Sequence, residues 1–525
     1  GMPGKHEKRV LISETGRGRW SIALVLLLFT AMIISPLNAG ENVSLPLLDM
    51  KLFEASDDVG EVRLAGSSEY DPDSQVFTLS GSGANMWADH DEFHFTWRRM
   101  SGDFILSANT EFIGEGVDPH RKMGWMIRES LDPDSAYVDV ALHGDGLTSM
   151  QFRRAAGGET EELKSAVNAP DVLQLERRNG RYIMSVAVAG DPLSGAELEG
   201  VALPDEVYVG LFICAHSPDV MESGRFSNVR ISVPAPEGFR PYQDYYGSRL
   251  EVMDVITGQR QVVHTEPDSM QAPNWTRDGK ALIYNRNGRL YRFDLENRVT
   301  VEVDTDFATN NNNDHALSFD GERLAISHHS GDHDGDSIIY TLPVGGGTPR
   351  LVTPLGPSYF HGWSPDGEWL TYTGGRDGSW DIYKIRSDGS GKEVRLTDHP
   401  ALDDGSEYSP DGKTIWFNSA RTGKMEIWRM NADGSDETQV TDDDYNNWFP
   451  HVSPDGKYIV YLAYMPDVAA EDHPWYRQVY LVLKPVEGGD SRIIANLYGG
   501  QGTINVASWS PDGRRIAFVS NSVSR

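Results

Sequence analysis

The chain has 525 residues, 39% hydrophobic and 24% charged, with 53 Gly, 28 Pro and one Cys, a soluble composition too long for a single ordinary core. Lys and Arg number 47 against 78 Asp and Glu, and the formal charge of −31 opposes broad attraction to nucleic acid or to an anionic membrane. The lone Cys214 excludes an internal disulfide, and no CxxC or Cys/His spacing supports thiol chemistry or a structural zinc site.

Lys5, Lys8, Arg9, Arg17 and Arg19 precede an apolar stretch from Ile22 to Ile34, followed by Ser35-Pro36-Leu37-Asn38-Ala39. The pattern is that of a secretory signal peptide over 1–39, cleaved after Ala39. The stretch is shorter than the roughly 20 apolar residues that span a bilayer. A periplasmic or secreted product with no membrane span is expected, and with no cysteine near the cleavage site a lipoprotein anchor is not. Residues 40–49 read as an extension.

From 50 to 233 short alternating runs separated by turn residues predict an all-β segment, an antiparallel sandwich. In Tyr137 to His143 the residues Val138, Val140 and Leu142 share one face, leaving Tyr137, Asp139 and His143 on the other. Together with Arg128, Gln151 and Arg153 these predict a polar sheet face suited to a sugar. A merely solvated face fits the alternation equally well. The run GWMIRESLDPDSAYVDVALHGDG resembles concanavalin-type jelly-roll domains of secreted carbohydrate-active proteins. The resemblance implies a lectin-like sandwich, as often a docking module as a catalyst. A proline- and aromatic-rich linker, PAPEGFRPYQDYYG, follows at 234–247.

Beyond the linker, Asp-Gly pairs recur at Asp278, Asp320, Asp366, Asp411, Asp455 and Asp512, the period of a four-stranded propeller blade. Each unit reads strand, S-P-D-G-like turn, strand, as in WSPDGEWLTYT and VSPDGKYIVYL. The turn has a mechanism: Asp caps it and Gly takes the positive φ. The last unit lacks its outer strands, whereas an extra outer pair, Leu250 to His264, precedes the first. Their pairing would close the ring and hide its edges. Residues 248–525 resemble the six-bladed TolB-type β-propeller, a family that includes envelope interaction proteins, peptidase accessory domains and polysaccharide lyases.

The loops on the rim opposite the Asp-Gly turns differ from repeat to repeat, so the site is expected there, at the propeller mouth. His315, His361 and His451 stand just before the repeat serines and, with Gln501, form a candidate site for a divalent metal, Mn or Ca. The set resembles the metal centre of oligogalacturonate lyases, TolB-like propellers that cleave uronides by β-elimination, with NWFPHVSPDGK as the most similar segment. Gln501 follows widely spaced histidines, whereas in that family the amide precedes a close histidine pair. The competing reading has the histidines capping inner strands through bonds to neighbouring loops.

Asp314, Asp403, Asp404 and Glu407 are candidate catalytic carboxylates for glycoside hydrolysis. Arg376 and Arg421 could fork a substrate carboxylate or sulfate. Tyr359, Trp448 and Trp475 offer stacking surfaces, and Asn447 and Asn505 polar contacts. Asp332, Asp334 and Asp336 alternate as in calcium loops but lack the glycine and distal glutamate of an EF-hand. No phosphate-binding glycine loop or G-x-S-x-G elbow is found. Two functions stay open: an exported protein that binds and cleaves an oligo- or polysaccharide, and a non-enzymatic TolB-like envelope protein that binds a protein partner.

Overall fold

A computed structural model describes residues 51–524. The expected signal peptide at 1–39 and the extension at 40–49 lie outside the described residues. Among the latter the only helix is a single 3-10 turn, Gly331–His333, and no helix is long and apolar enough to cross a membrane.

The N-terminal half builds two seven-stranded antiparallel sheets. Alternation decides what lies between them: Trp125, Ile127, Val138, Val140, Met150 and Phe152 from one sheet meet Leu79, Leu106, Leu173, Leu175, Met184 and Phe226 from the other in one core. The opposite face of the first sheet is covered as well. The hairpin of Met86–Trp87 and His90–Asp91 lies over it, and Met86, Phe93, Phe95, Tyr137 and Phe212 form a second apolar cluster there.

The C-terminal half is a six-bladed propeller. Five four-stranded sheets run from Gln271–Trp275 to Arg492–Gly499. The sixth joins the two ends of the segment, because Arg515–Asn521 pairs with Ser248–Asp254, which pairs with Arg260–Glu266. The repeated sequence acts through local bonds. In blade three Ser364 Oγ donates to Asp366 Oδ1 (2.5 Å), Asp366 Oδ1 accepts the Glu368 N–H (3.0 Å), and Ser364 Oγ accepts the Trp369 N–H (2.9 Å). The Ser–Asp contact recurs at Ser318, Ser409, Ser453 and Ser510, with Thr276 in the first blade. The following glycines hold φ between +71° and +74°, which favours glycine there.

The tryptophans that open the turns fasten blade to blade. Trp275, Trp363 and Trp509 donate their indole N–H groups to Ser508 O, Ala316 O and His451 O of the preceding blades (2.8–2.9 Å). The sandwich is fixed to the outer strands of blades five and six by bonds such as Gln75 to Val262 and Asn496 to Gln174.

Candidate functional site: the propeller mouth

Each inner strand begins at the mouth, so the first residues of each repeat surround the central opening. His315, His361 and His451 each bond a neighbouring blade, while the Nδ1 of His315 is buried without a hydrogen-bond partner. His315, fully buried, bonds the carbonyl of Ile283 in blade one (3.2 Å); burial lowers its pKa to about 4. His361 in blade three meets Asp404 of blade four (2.9 Å). His451 in blade five places Nδ1 on Glu407 of blade four (3.0 Å) and Nε2 on Ile504 O beside blade six (2.5 Å). Gln501 Oε1 accepts from Asn505 Nδ2 (3.0 Å).

Among the described residues no group of three or more His, Cys, Asp or Glu is placed to hold a metal ion. Of the expected donors, His361, His451 and Gln501 are engaged in inter-blade or local bonds, whereas His315 keeps a buried Nδ1 without a hydrogen-bond partner, and no chemical step is routed through a metal.

The candidate carboxylates are struts of the same kind. Asp403 and Asp404 are consecutive on one strand and face opposite ways. Asp403 meets Arg421 (3.3 Å), and burial raises its pKa. Asp404 accepts from Thr373 Oγ1 (2.7 Å) and the Gly405 N–H (2.8 Å) as well as meeting His361. Glu407 takes the Val452 N–H (2.7 Å) besides His451. Asp314 is buried at the mouth, 5% exposed.

Several expected substrate contacts are also committed elsewhere. Arg376 pairs with Glu393 (2.9 Å) and donates to Pro357 O and Ser358 Oγ. Arg421 also pairs with Glu437 and lies over the Trp428 ring. Asn447 donates to Glu426 and Asp443, Asn505 holds Gln501 and the Gly502 N–H, and Trp448 is wholly buried in the core of blade five.

The expected sugar face of the sandwich is covered. Arg128, Tyr137, Asp139 and Arg153 are fully buried, and His143 and Gln151 nearly so. Asp91 of the overlying hairpin takes Nη1 of Arg128 and of Arg153, both at 2.8 Å, while Arg153 also donates to Ala88 O and Ser135 O. The polar side chains are buried fastenings rather than an open surface. Burial raises the Asp139 carboxyl well above its usual range and lowers His143 to about 4.

Sequence reasoning placed the linker but not its contacts. Residues 234–247 form a strap that reaches the mouth. Phe239 and Tyr246 pack on Tyr476 (5.1 and 5.4 Å between centroids), and Ala235 N–H and Tyr246 N–H donate to the hydroxyls of Tyr498 and Tyr476 (2.9 Å each). Tyr242 meets the Trp475 ring edge-on at 4.5 Å. Burial of its hydroxyl end, then the carboxylates of Asp472, Asp314 and Asp404, raise the Tyr242 phenol. Burial, Asp314 and Asp404 likewise raise Tyr359. Two tyrosines from different parts of the chain thus share the same acidic neighbours, and the Tyr242 residue keeps 40% of its surface exposed. The aromatic content of the linker was the available signal.

A family model described as the TolB beta propeller domain matches residues 356–471. An uncharacterized protein of Agrobacterium fabrum is 48% identical over 273 residues, covering 52% of this chain and 92% of that one. The solved structure of a TolB candidate from Agrobacterium tumefaciens is 46% identical, covers 54% of this chain and all of its own, and superposes with a TM-score of 0.51. An oligogalacturonate lyase in complex with manganese is 15% identical over 54% of this chain and 77% of that one, at a TM-score of 0.34, a likeness that carries nothing about the site. With the repeated turn, the six blades and a relative matched over nearly its whole length, the chain belongs to the TolB β-propeller family.

Proposed function

We propose that this is an exported, non-catalytic recognition protein of the envelope, whose propeller mouth, walled on one side by the linker strap, binds a protein partner. The observation that carries the reading is Tyr242, brought from outside the propeller edge-on against Trp475, with its phenol under the charge of Asp472, Asp314 and Asp404. The imidazoles and carboxylates that would serve catalysis are fixed in inter-blade bonds, which suits a rigid binding surface better than proton transfer. An acidic opening with aromatic walls suits a segment bearing Lys or Arg, through charge and cation–π contact. The export signal over 1–39, the extension at 40–49, the division at 234–247 and the reading of the two sheets as a concanavalin-type jelly roll belong to this proposal.

The test is capture of partners from an envelope extract by the full chain and by Tyr242→Ala and Asp472→Asn variants. A partner held by the wild type and lost or weakened at least tenfold in both variants is expected. Equal capture by all three would overturn the placement of the site. The carbohydrate-active reading keeps one support, the aromatic rings of Tyr242 and Tyr359 near two carboxylates. Release of reducing or unsaturated ends from a panel of uronides and neutral glycans would establish it against the binding reading.

A further inference from the structure

Between the sandwich and blades five and six lies a cavity of about 10 Å³ whose lining includes Arg230, Arg249, Arg260, Gln478 and Asn496. Its charge does not balance. Arg230 and Arg260, 5% and 6% exposed, both bond the fully buried Glu251 (2.7–3.2 Å). Arg249 has no carboxylate: it donates to Ser520 Oγ, Ile231 O, Ser232 Oγ and Asn521 O, all neutral. Three guanidiniums, two buried and that of Arg249 half-buried, therefore share one carboxylate, whereas charges removed from water are ordinarily paired. Beside them the Gln478 side-chain amide has both of its polar atoms buried and without a partner. The Gln478 amide N–H and spare guanidinium N–H groups around a space for one small occupant, which the buried unpartnered Oδ1 of Asn496 also adjoins, describe an anion pocket.

We propose that a monovalent halide, chloride in solution, occupies this cavity, held by Arg249 and the Gln478 amide, and that it fastens the sandwich to the propeller. Gln478 and Asn496 come from blade five, Arg249 and Arg260 from blade six, and Arg230 from the sandwich. The occupant thus touches both halves and reduces the repulsion between their cations. Gln478 can turn its amide to present N–H to the anion, because neither orientation costs it an existing bond.

The experiment is thermal unfolding of the full chain with chloride exchanged for gluconate at constant ionic strength, together with crystals grown in bromide. Expected are a midpoint that rises by on the order of a few degrees as chloride replaces gluconate, an anomalous bromide peak in the cavity, and loss of the halide dependence in Arg249→Met. A cavity holding only water, with no bromide peak and equal midpoints in both salts, would overturn the proposal. If Arg249→Met does not fold, the bromide map of the wild type decides alone.

Discussion

His451→Ala discriminates between a histidine available for chemistry and one that ties blades together. The ring is 3% exposed and links Glu407 to Ile504 O through its two nitrogens. Truncation leaves the Glu407 carboxylate, 8% exposed, with the Val452 N–H as its remaining hydrogen-bond partner, and leaves the Ile504 carbonyl without the imidazole. A lost hydrogen bond to a charged group costs about 1.5–3 kcal/mol, and an orphaned neutral acceptor about 1–3 kcal/mol. A loss of about 4 kcal/mol is expected for the propeller. At about 2–4 °C per kcal/mol for a domain of up to 250 residues, the propeller midpoint should fall by about 10 °C. The assay is thermal unfolding followed by tryptophan fluorescence, repeated in Glu407→Gln and the double variant. Because the two side chains share one bond, the double variant should lose less than the sum of the singles. A midpoint within about 2 °C of the wild type for His451→Ala would refute the structural role and return the imidazole to the list of groups free for catalysis.

Glu426 is fully buried, its Oε1 without a hydrogen-bond partner and 3.8 Å from Lys424 Nζ, and burial raises its pKa from 4.5 to about 7. The raised value means that the folded state holds the proton more tightly, so the penalty is absent below about pH 4.5, grows with pH and is complete above about pH 7. It reaches roughly 3 kcal/mol, and Glu426→Gln should raise the midpoint at pH 8 but not at pH 4. Asp139 has the same sign: its Oδ2 is buried without a partner and its pKa is raised well above 3.8. Asp139→Asn is therefore expected to stabilise the sandwich at neutral pH and to lose that advantage in acid, and destabilisation at both pH values would count against a protonated acid. Gly456→Ala isolates the turn, since a methyl group there meets nothing within 4 Å while φ is +72°. A loss of about 1 kcal/mol by urea unfolding is expected, and no change would show that the repeat glycines serve something other than the turn.

The propeller was legible because its signal is local. Ser, Asp and Gly within four residues close one turn through their own bonds, and six copies fix the period. The histidines were likewise legible as residues at the entry of the inner strands, because distance from the repeat serine sets position along the strand. Their partners were not legible: Glu407, Asp404 and the carbonyls of Ile283 and Ile504 come from other blades at sequence separations of 32 to 53 residues. The sandwich shows the same boundary. Alternation correctly separated Val138 and Val140 from Tyr137 and Asp139, yet whether the second face meets water depends on Asp91, which reaches Arg153 across 62 positions. An outward polar face and a face covered by a distant hairpin have the same alternation.

Tyr242 joins these observations at the mouth. Its φ of +64° lies in the left-handed region, which costs a side chain with a Cβ about 1–2 kcal/mol. Aromatic packing of Phe239 and Tyr246 on Tyr476 and of Tyr245 on Trp475 offsets that strain. The strap is anchored at one end by the last strand of the sandwich and at the other by the first strand of blade six. Its position therefore depends on both halves remaining docked. A ligand entering the mouth must either use the tyrosine as a wall or push it out, and displacement would relieve backbone strain while forfeiting the contact with Trp475. Because the strap is fixed at both ends, a displaced strap gains little conformational entropy, so only a ligand whose preference for the open form outweighs the lost Trp475 contact would shift the equilibrium.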